Sequence, residues 1–210
     1  GVLKTRTLGA IIEDIETGVS ISTEDLPATD DEPGILKLDA IADNQLWLDR
    51  NKRIPPGLMQ DAQASLRKGT LLVSRSNTVD LVGACVYVPE DYPNRFLPDL
   101  IWQVSLKDEA RVHPEWLQLY LSSPAGRREI CRRACGTSGS MKKLSMNVFR
   151  EIPYPLLSEG VQRSTVKLLR TWDVSIKKLR KQLSALRQRK AGLMQQLLTG
   201  RGRVPEFRRS

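Results

Sequence analysis

The sequence predicts an α+β fold in two parts. A mixed domain with a small β-sheet and packed helices occupies residues 1–155, one long coiled-coil-forming α-helix follows over 156–200, and a basic tail covers 201–210. Three observations predict this. Charge changes character at Pro155: before it 19 Lys and Arg face 21 Asp and Glu, a balance of −2, and after it 14 face 3, a balance of +11, so the net +9 hides two unlike segments. Short β-branched or apolar runs bounded by Gly, Pro, Asn or Asp fill the first part. From Ser158 to Leu198 there is no proline, and apolar residues recur at alternating steps of three and four.

In chain order, strands are expected at 34–38, 70–74, 82–88 and 100–106, separated by polar loops at 17–32, 74–80, 89–98 and 136–143. Helical spacing runs through 114–122 and again through 124–135, with Ser123-Pro124 reading as an N-cap followed by proline in the first turn. Ser158 is the expected N-cap of the long helix, with Glu159 in its first turn and Gly200 as its stop. About 40 helical residues at 1.5 Å each make a rod of roughly 60 Å.

The rod's seam is Leu169, Trp172, Ile176, Leu179, Leu183, Leu186, Lys190, Leu193 and Leu197, with Lys190 the one polar member. A stripe sustained over four heptads cannot bury itself along its whole length against a 155-residue domain, so it requires a partner helix. The flanking Arg180, Arg187 and Arg189 carry one sign. A parallel homodimer would bring like charges together, whereas an antiparallel partner or an acidic neighbour suits them better.

Composition excludes several classes. Apolar runs such as 81–88 are about half a dozen residues, far short of the roughly 18 a membrane span needs, so no membrane partner is expected. Three cysteines cannot all pair with one another, and the first residues lack a charged-then-apolar signal layout, which suits a reducing, cytoplasmic setting. The single histidine, His113, precludes a two-His metal centre. No GxxxxGK[ST] loop occurs for ATP. Ile152-Pro-Tyr-Pro155 lacks the amide or carboxylate an adenine methyltransferase places before its Pro-Pro-Tyr, and Asp99 is followed by Glu109-Ala-Arg111 without a nuclease lysine. No catalytic residue and no metal ligand is expected. Cys85, Cys131 and Cys135 read as buried free thiols, and His113, ahead of Pro114, as a capping or structural residue.

Two polar stretches are candidates for nucleic-acid contact. Arg127, Arg128, Arg132 and Arg133 precede a small-residue loop with Gly136, Thr137, Ser138, Ser140, Lys142 and Lys143, and from Arg127 to Arg150 seven basic residues face one acidic. Glycines and hydroxyl residues let backbone N–H groups approach phosphates while lysines supply charge. The same run also reads as a solvated helix face and a connector. Ser74, Arg75, Ser76, Asn77 and Thr78 end a predicted strand with one arginine among short polar groups, a set able to read base edges, or an ordinary hairpin turn.

Taken together, the segments resemble the DNA-specificity subunit of type I restriction–modification enzymes. Leu8-Gly-Ala-Ile-Ile12 and the loop around Gly18 look like that family's opening. Leu66-Arg-Lys-Gly-Thr-Leu-Leu-Val-Ser74 is similar to its L-x-K-G-D-L-L-x-S strand, with Thr70 in the Asp place. His113-Pro-Glu-Trp-Leu-Gln-Leu-Tyr-Leu121 resembles its P-x-Y-L-x-x-x-L helix, with Trp116 in the Tyr place. Ala134-Cys-Gly-Thr137 and Ile152-Pro-Tyr-Pro155 follow its order, as do Gln162-Arg163 and Lys190-Ala-Gly-Leu-Met-Gln-Gln-Leu-Leu-Thr-Gly200 of the spacer helix. The resemblance implies a target recognition domain (1–155) that reads half of a bipartite site on double-stranded DNA, and a spacer helix that packs antiparallel against a second specificity half or a second copy. It implies docking to the methyltransferase (modification) subunits and the restriction subunit, to which S-adenosylmethionine, ATP and magnesium belong, so no cofactor is expected in this chain. The alternative is a coiled-coil adaptor or decoy that occupies those subunits without reading DNA.

Overall fold

A computed structural model of the chain describes residues 4–23, 25–136 and 141–199. The chain divides between Ser164 and Thr165 into two compact units. The first contains the strands β1 (Thr5–Thr7), β2 (Ile12–Thr17), β3 (Gly34–Leu36), β4 (Ile41–Ala42), β5 (Gln45–Leu46), β6 (Asn51–Arg53), β7 (Ser65–Leu66), β8 (Leu71–Ser74), β9 (Ser76–Asn77), β10 (Cys85–Tyr87), β11 (Tyr92–Phe96), β12 (Ile101–Leu106), β13 (Lys142–Lys143) and β14 (Pro153–Pro155). Helices α1 (Pro114–Ser122), α2 (Pro124–Arg133) and α3 (Met146–Arg150) follow β12, and α4 spans Glu159–Leu198. The α+β class and the long C-terminal helix agree with the sequence, with a fuller β complement than one small sheet.

Two four-stranded sheets carry the domain, in the orders β10-β8-β12-β2, all antiparallel, and β6-β3-β11-β7, in which β11 and β3 run parallel. All of Leu71–Ser74 is buried, as are the first four residues of β12, because both strands are central and covered on both faces. Leu36 and Leu66 of one sheet share an apolar cluster with Leu72, Val86 and Ile101 of the other. Buried Gln103 on β12 is satisfied on every side: its Oε1 accepts from Arg67 N (2.9 Å) and Thr70 Oγ1 (3.2 Å), and its Nε2 donates to Glu16 Oε2 (3.1 Å) and Ser65 O (3.1 Å). Arg67 donates to the same Glu16 carboxylate at 2.8 Å and holds it below its ordinary range. Thr70 also closes the turn onto Arg67 O at 2.6 Å, so a hydroxyl serves where the resembled strand motif carries Asp.

The predicted loops at 74–80, 89–98 and 136–143 each contain a strand, β9, β11 and β13 respectively, and the loop at 17–32 begins where β2 ends. In β11, Pro93 and Asn94 argue against a strand by propensity, but the register to β3 and β7 overrides them. Gly18 follows β2 at a close crossing, where a Cβ would sit 1.6 Å from the Leu97 carbonyl oxygen.

α1 packs against β8 and β10. α2 begins as the sequence predicts, with Ser123 Oγ accepting from Gly126 N at 3.3 Å, and ends at Arg133 rather than at 135. Trp116 packs with Tyr120 and Tyr154, and Tyr120 Oη donates to Pro153 O at 2.9 Å, tying α1 to β14. β14 pairs with β1, from Thr5↔Pro155 to Thr7↔Pro153, and so fastens the segment before α4 to the opening strand.

Composition changes at Pro155, but the first compact unit continues to Ser164. The cause is Gln162, a buried amide on the first turn of α4 that accepts from His113 N (2.8 Å) and donates to Leu157 O (2.9 Å) and Arg111 O (3.3 Å). In the second unit, every described residue from Lys167 to Thr199 is exposed, including the whole predicted seam, whose large apolar members range from 37% (Leu169) to 62% (Trp172, Leu179, Leu186). The predicted stop at Gly200 and the basic tail lie outside the described residues. No helix among the described residues is long and apolar enough to cross a membrane.

Candidate nucleic-acid interface

The two polar stretches singled out in the sequence are 66 residues apart, and backbone hydrogen bonds join them. β9 pairs antiparallel with β13, Asn77 opposite Lys142 and Ser76 opposite Lys143. The Arg75 carbonyl accepts from Leu144 N at 2.8 Å, and Arg75 N donates to Leu100 O at 3.0 Å. On its other edge Lys143 exchanges both backbone hydrogen bonds with Cys135, at 2.7 and 2.9 Å. Three short segments thus form one ribbon at the end of the central strand β8. Cys135 and Leu144 enter it through backbone alone, so no side-chain pattern marks them in the sequence.

The candidate side chains divide by environment. Ser74 and Ser76 are buried, at 0% and 1% exposure, so they shape the turn from within. Ser74 Oγ accepts from Asn77 Nδ2 at 3.3 Å, and Asn77 Oδ1 accepts from Thr78 N at 2.9 Å. The Ser76 hydroxyl is buried without a hydrogen-bond partner among the described residues. Arg75 is half-buried and Thr78 and Lys143 are exposed; among the described residues the Arg75 and Lys143 side chains make no ion pair or hydrogen bond. Lys142 Nζ donates to Gly136 O at 2.9 Å. Thr137, Ser138 and Ser140 lie outside the described residues.

The four arginines of α2 are not equivalent. Arg127 donates through Nη1 to Val82 O (2.7 Å) and through Nη2 to Asp80 O (2.9 Å), so its charge is spent on clamping the turn that follows Thr78. Glu129 lies between Arg132 and Arg133, bonded to both, and Arg133 first among them holds its carboxyl below the ordinary range. Arg128 is exposed with no ion pair among the described residues. Of these candidate cations, those with no ion pair among the described residues and no carbonyl to clamp are Arg75 and Lys143 on the ribbon and Arg128 on α2. Arg127→Ala is expected to cost about 2 kcal/mol, the scale of hydrogen bonds from a charged donor, and to raise amide exchange at Leu81 and Val82 ahead of the rest of the domain. An exchange rate unchanged at those two amides would remove the clamp from the account.

The thiols are partly a correction. All three are free and Cys85 is buried, with burial raising its thiol to about 12, but Cys131 and Cys135 are exposed because one lies on the outer side of α2 and the other beyond its end. His113 is the N-cap residue of α1, yet its side chain makes no capping bond, and its backbone N–H is what engages Gln162. No group of three His, Cys, Asp or Glu able to hold a metal occurs among the described residues.

No protein-family model matches the sequence, and no curated protein sequence matches it. Solved structures do. The chain is similar to the S subunit of a type I restriction–modification system from M. genitalium (16% identity, 93% of this chain and 45% of that one, TM-score 0.56). It is also similar to a chain from a structure on complex assembly and conformational transition of the type I R-M system (17%, 90% and 41%, TM-score 0.55) and to the HsdS subunit of Thermoanaerobacter tengcongensis (18%, 85% and 39%, TM-score 0.53). The chain spans less than half the length of each. With nearly all of its own length aligned, the chain has the fold of one half of a type I restriction–modification specificity subunit.

Proposed function

We propose that this chain is a non-catalytic DNA-recognition element in which the domain reads one half of a bipartite site on double-stranded DNA and α4 pairs antiparallel with another helix. The observation that carries the reading is the ribbon, which assembles Arg75, Asn77, Thr78, Lys142 and Lys143 on a fold shared with specificity subunits. In this reading Arg75, among short polar groups, contacts base edges, and Lys143 and Arg128 contact phosphates. The assembled form docks methyltransferase and restriction subunits, which bring S-adenosylmethionine, ATP and magnesium; this chain's residues contribute recognition only.

The test is binding to double-stranded DNA at fixed salt, with target sites selected from random duplexes by the assembled enzyme. Arg75→Ala is expected to weaken specific binding about tenfold or more and relax discrimination, since a bidentate base contact is worth about 1–3 kcal/mol. Lys142→Ala with Lys143→Ala is expected to weaken all sequences alike and reduce the salt slope by about 1 to 2. If neither change alters affinity or salt slope, the ribbon is not the DNA face. The adaptor or decoy reading uses the same exposed seam, and it prevails if the assembled chain protects no sequence while still binding its partner subunits.

A further inference from the structure

We infer that the helix completing the seam of α4 belongs to a different polypeptide segment and presents an acidic flank, and that a second copy of this chain is a poor occupant. The inference rests on the reading of α4 as a pairing helix and names its partner's chemistry. Residues 165–199 carry nine Lys and Arg and one acidic residue, Asp173. Seven of the nine, Lys177, Lys178, Arg180, Lys181, Arg187, Arg189 and Lys190, fall between positions 177 and 190 with no carboxylate among them. That block shares its midpoint with the seam from Leu169 to Leu197. A second copy in full overlap therefore sets the block against itself whether the helices run parallel or antiparallel. The screening length is about 10 Å at 0.1 M salt and longer below it, comparable to the roughly 8–10 Å between the axes of two packed helices, so these charges repel across the interface.

Lys190 supplies an independent observation because it lies on the seam itself. In an antiparallel self-pair with the overlap centred, Lys190 lies level with Ile176 of the other copy, between its Trp172 and Leu179, which leaves an ammonium facing apolar side chains without a counter-charge. A carboxylate on the partner at that level satisfies it, and polar seam pairs of this type fix register and partner choice. The groove along this part of the helix is lined by Ile176, Leu179, Leu183 and Leu186 together with Arg180 and Gln182, so the surface offers apolar contact and positive charge together. The occupant it fits is an amphipathic helix with an apolar seam and Asp or Glu along its flanks.

The full chain can be its own probe. A variant with Lys177→Glu, Lys178→Glu, Arg180→Glu and Lys181→Glu keeps the seam and turns four of the block's seven cations acidic. By sedimentation equilibrium at about 50 mM salt, the mixture of wild type and variant is expected to pair about tenfold more tightly than wild type alone, and the preference to collapse near 500 mM. Wild type that self-pairs at low salt as tightly as the mixture overturns the acidic-partner inference and leaves the pairing reading standing. If neither sample pairs at any salt, both fail together.

Discussion

Replacing Arg95 with methionine is expected to lower the free energy of unfolding by about 3 kcal/mol, in the range seen when one partner of a buried charged network is removed. Arg95 lies on β11 with 4% of its surface exposed. Its Nη1 donates to Glu32 O (2.9 Å) and Asn94 O (3.1 Å), Nη2 to Thr29 O (3.0 Å), and Nε to Leu48 O (3.3 Å). Among the described residues only the exposed Asp30 carboxylate, at 3.6 Å, offers it a negative charge, so backbone carbonyls are the solvent this guanidinium sees. Methionine fills comparable volume but removes all four donations at once; Leu48 O keeps Asn51 Nδ2 and Thr29 O keeps Glu32 N, while Glu32 O and Asn94 O lose this donor, which costs more than the packing recovers. Asn51 works beside it, accepting from Ala28 N and donating to Leu48 O, both at 2.8 Å, so two polar side chains fold the segment from 28 to 32 onto β3 and β6. Urea unfolding measures the effect: the midpoint should fall with the slope unchanged, and Arg95→Lys should recover only part, since a point charge cannot reach four carbonyls at once. A midpoint unmoved in Arg95→Met would mean that the segment is held by something other than this network.

Arg95 also shows where the sequence is mute. Its stretch, Asp91-Tyr-Pro-Asn-Arg-Phe96, reads as a polar loop because Pro and Asn punctuate it, and it is the non-local pairing with β3 on one side and β7 on the other that makes it a strand. β2 is hidden for a different reason. It is an edge strand with two buried apolar residues, Ile12 and Ile15, separated by Glu13 and Asp14, so it shows neither clean alternation nor an apolar run. The central strands β8 and β12 are legible because burial on both faces demands continuous apolar residues, and β10, at the sheet edge, is legible through the apolar run from 81 to 88 that contains it. Helices α1, α2 and α4 are legible because 3.6-residue spacing and caps are local. Within the candidate site, residue types are local and the pairing that unites them is not: nothing in Ser76-Asn77 specifies Lys142-Lys143. Charge counting has the same blind spot, since it weighs Arg127 and Arg128 alike although carbonyls hold one and the other is exposed.

The seam makes the second large prediction because it separates folding from assembly. Leu179 and Leu183 are 62% and 49% exposed, so glutamine at both, a good helix former without charge, should leave the unfolding midpoint of the domain and the helical signal of the isolated chain nearly unchanged. In the pair formed with the charge-reversed variant, the same double change should weaken association by about a thousandfold, because each leucine loses roughly 2 kcal/mol of burial. A core position cannot behave this way: Leu72 or Leu117, both buried, would damage the domain itself when changed to glutamine. If Leu179→Gln with Leu183→Gln leaves association intact, then cations and carboxylates rather than the apolar stripe hold the pair, and raising salt should dissolve it. If association is lost and salt has no such effect on the wild-type mixture, burial supplies the affinity and the charges only choose the partner. Burial holding and charge choosing is the division expected of a helix whose seam is apolar at eight of nine positions while its flanks carry nearly one sign.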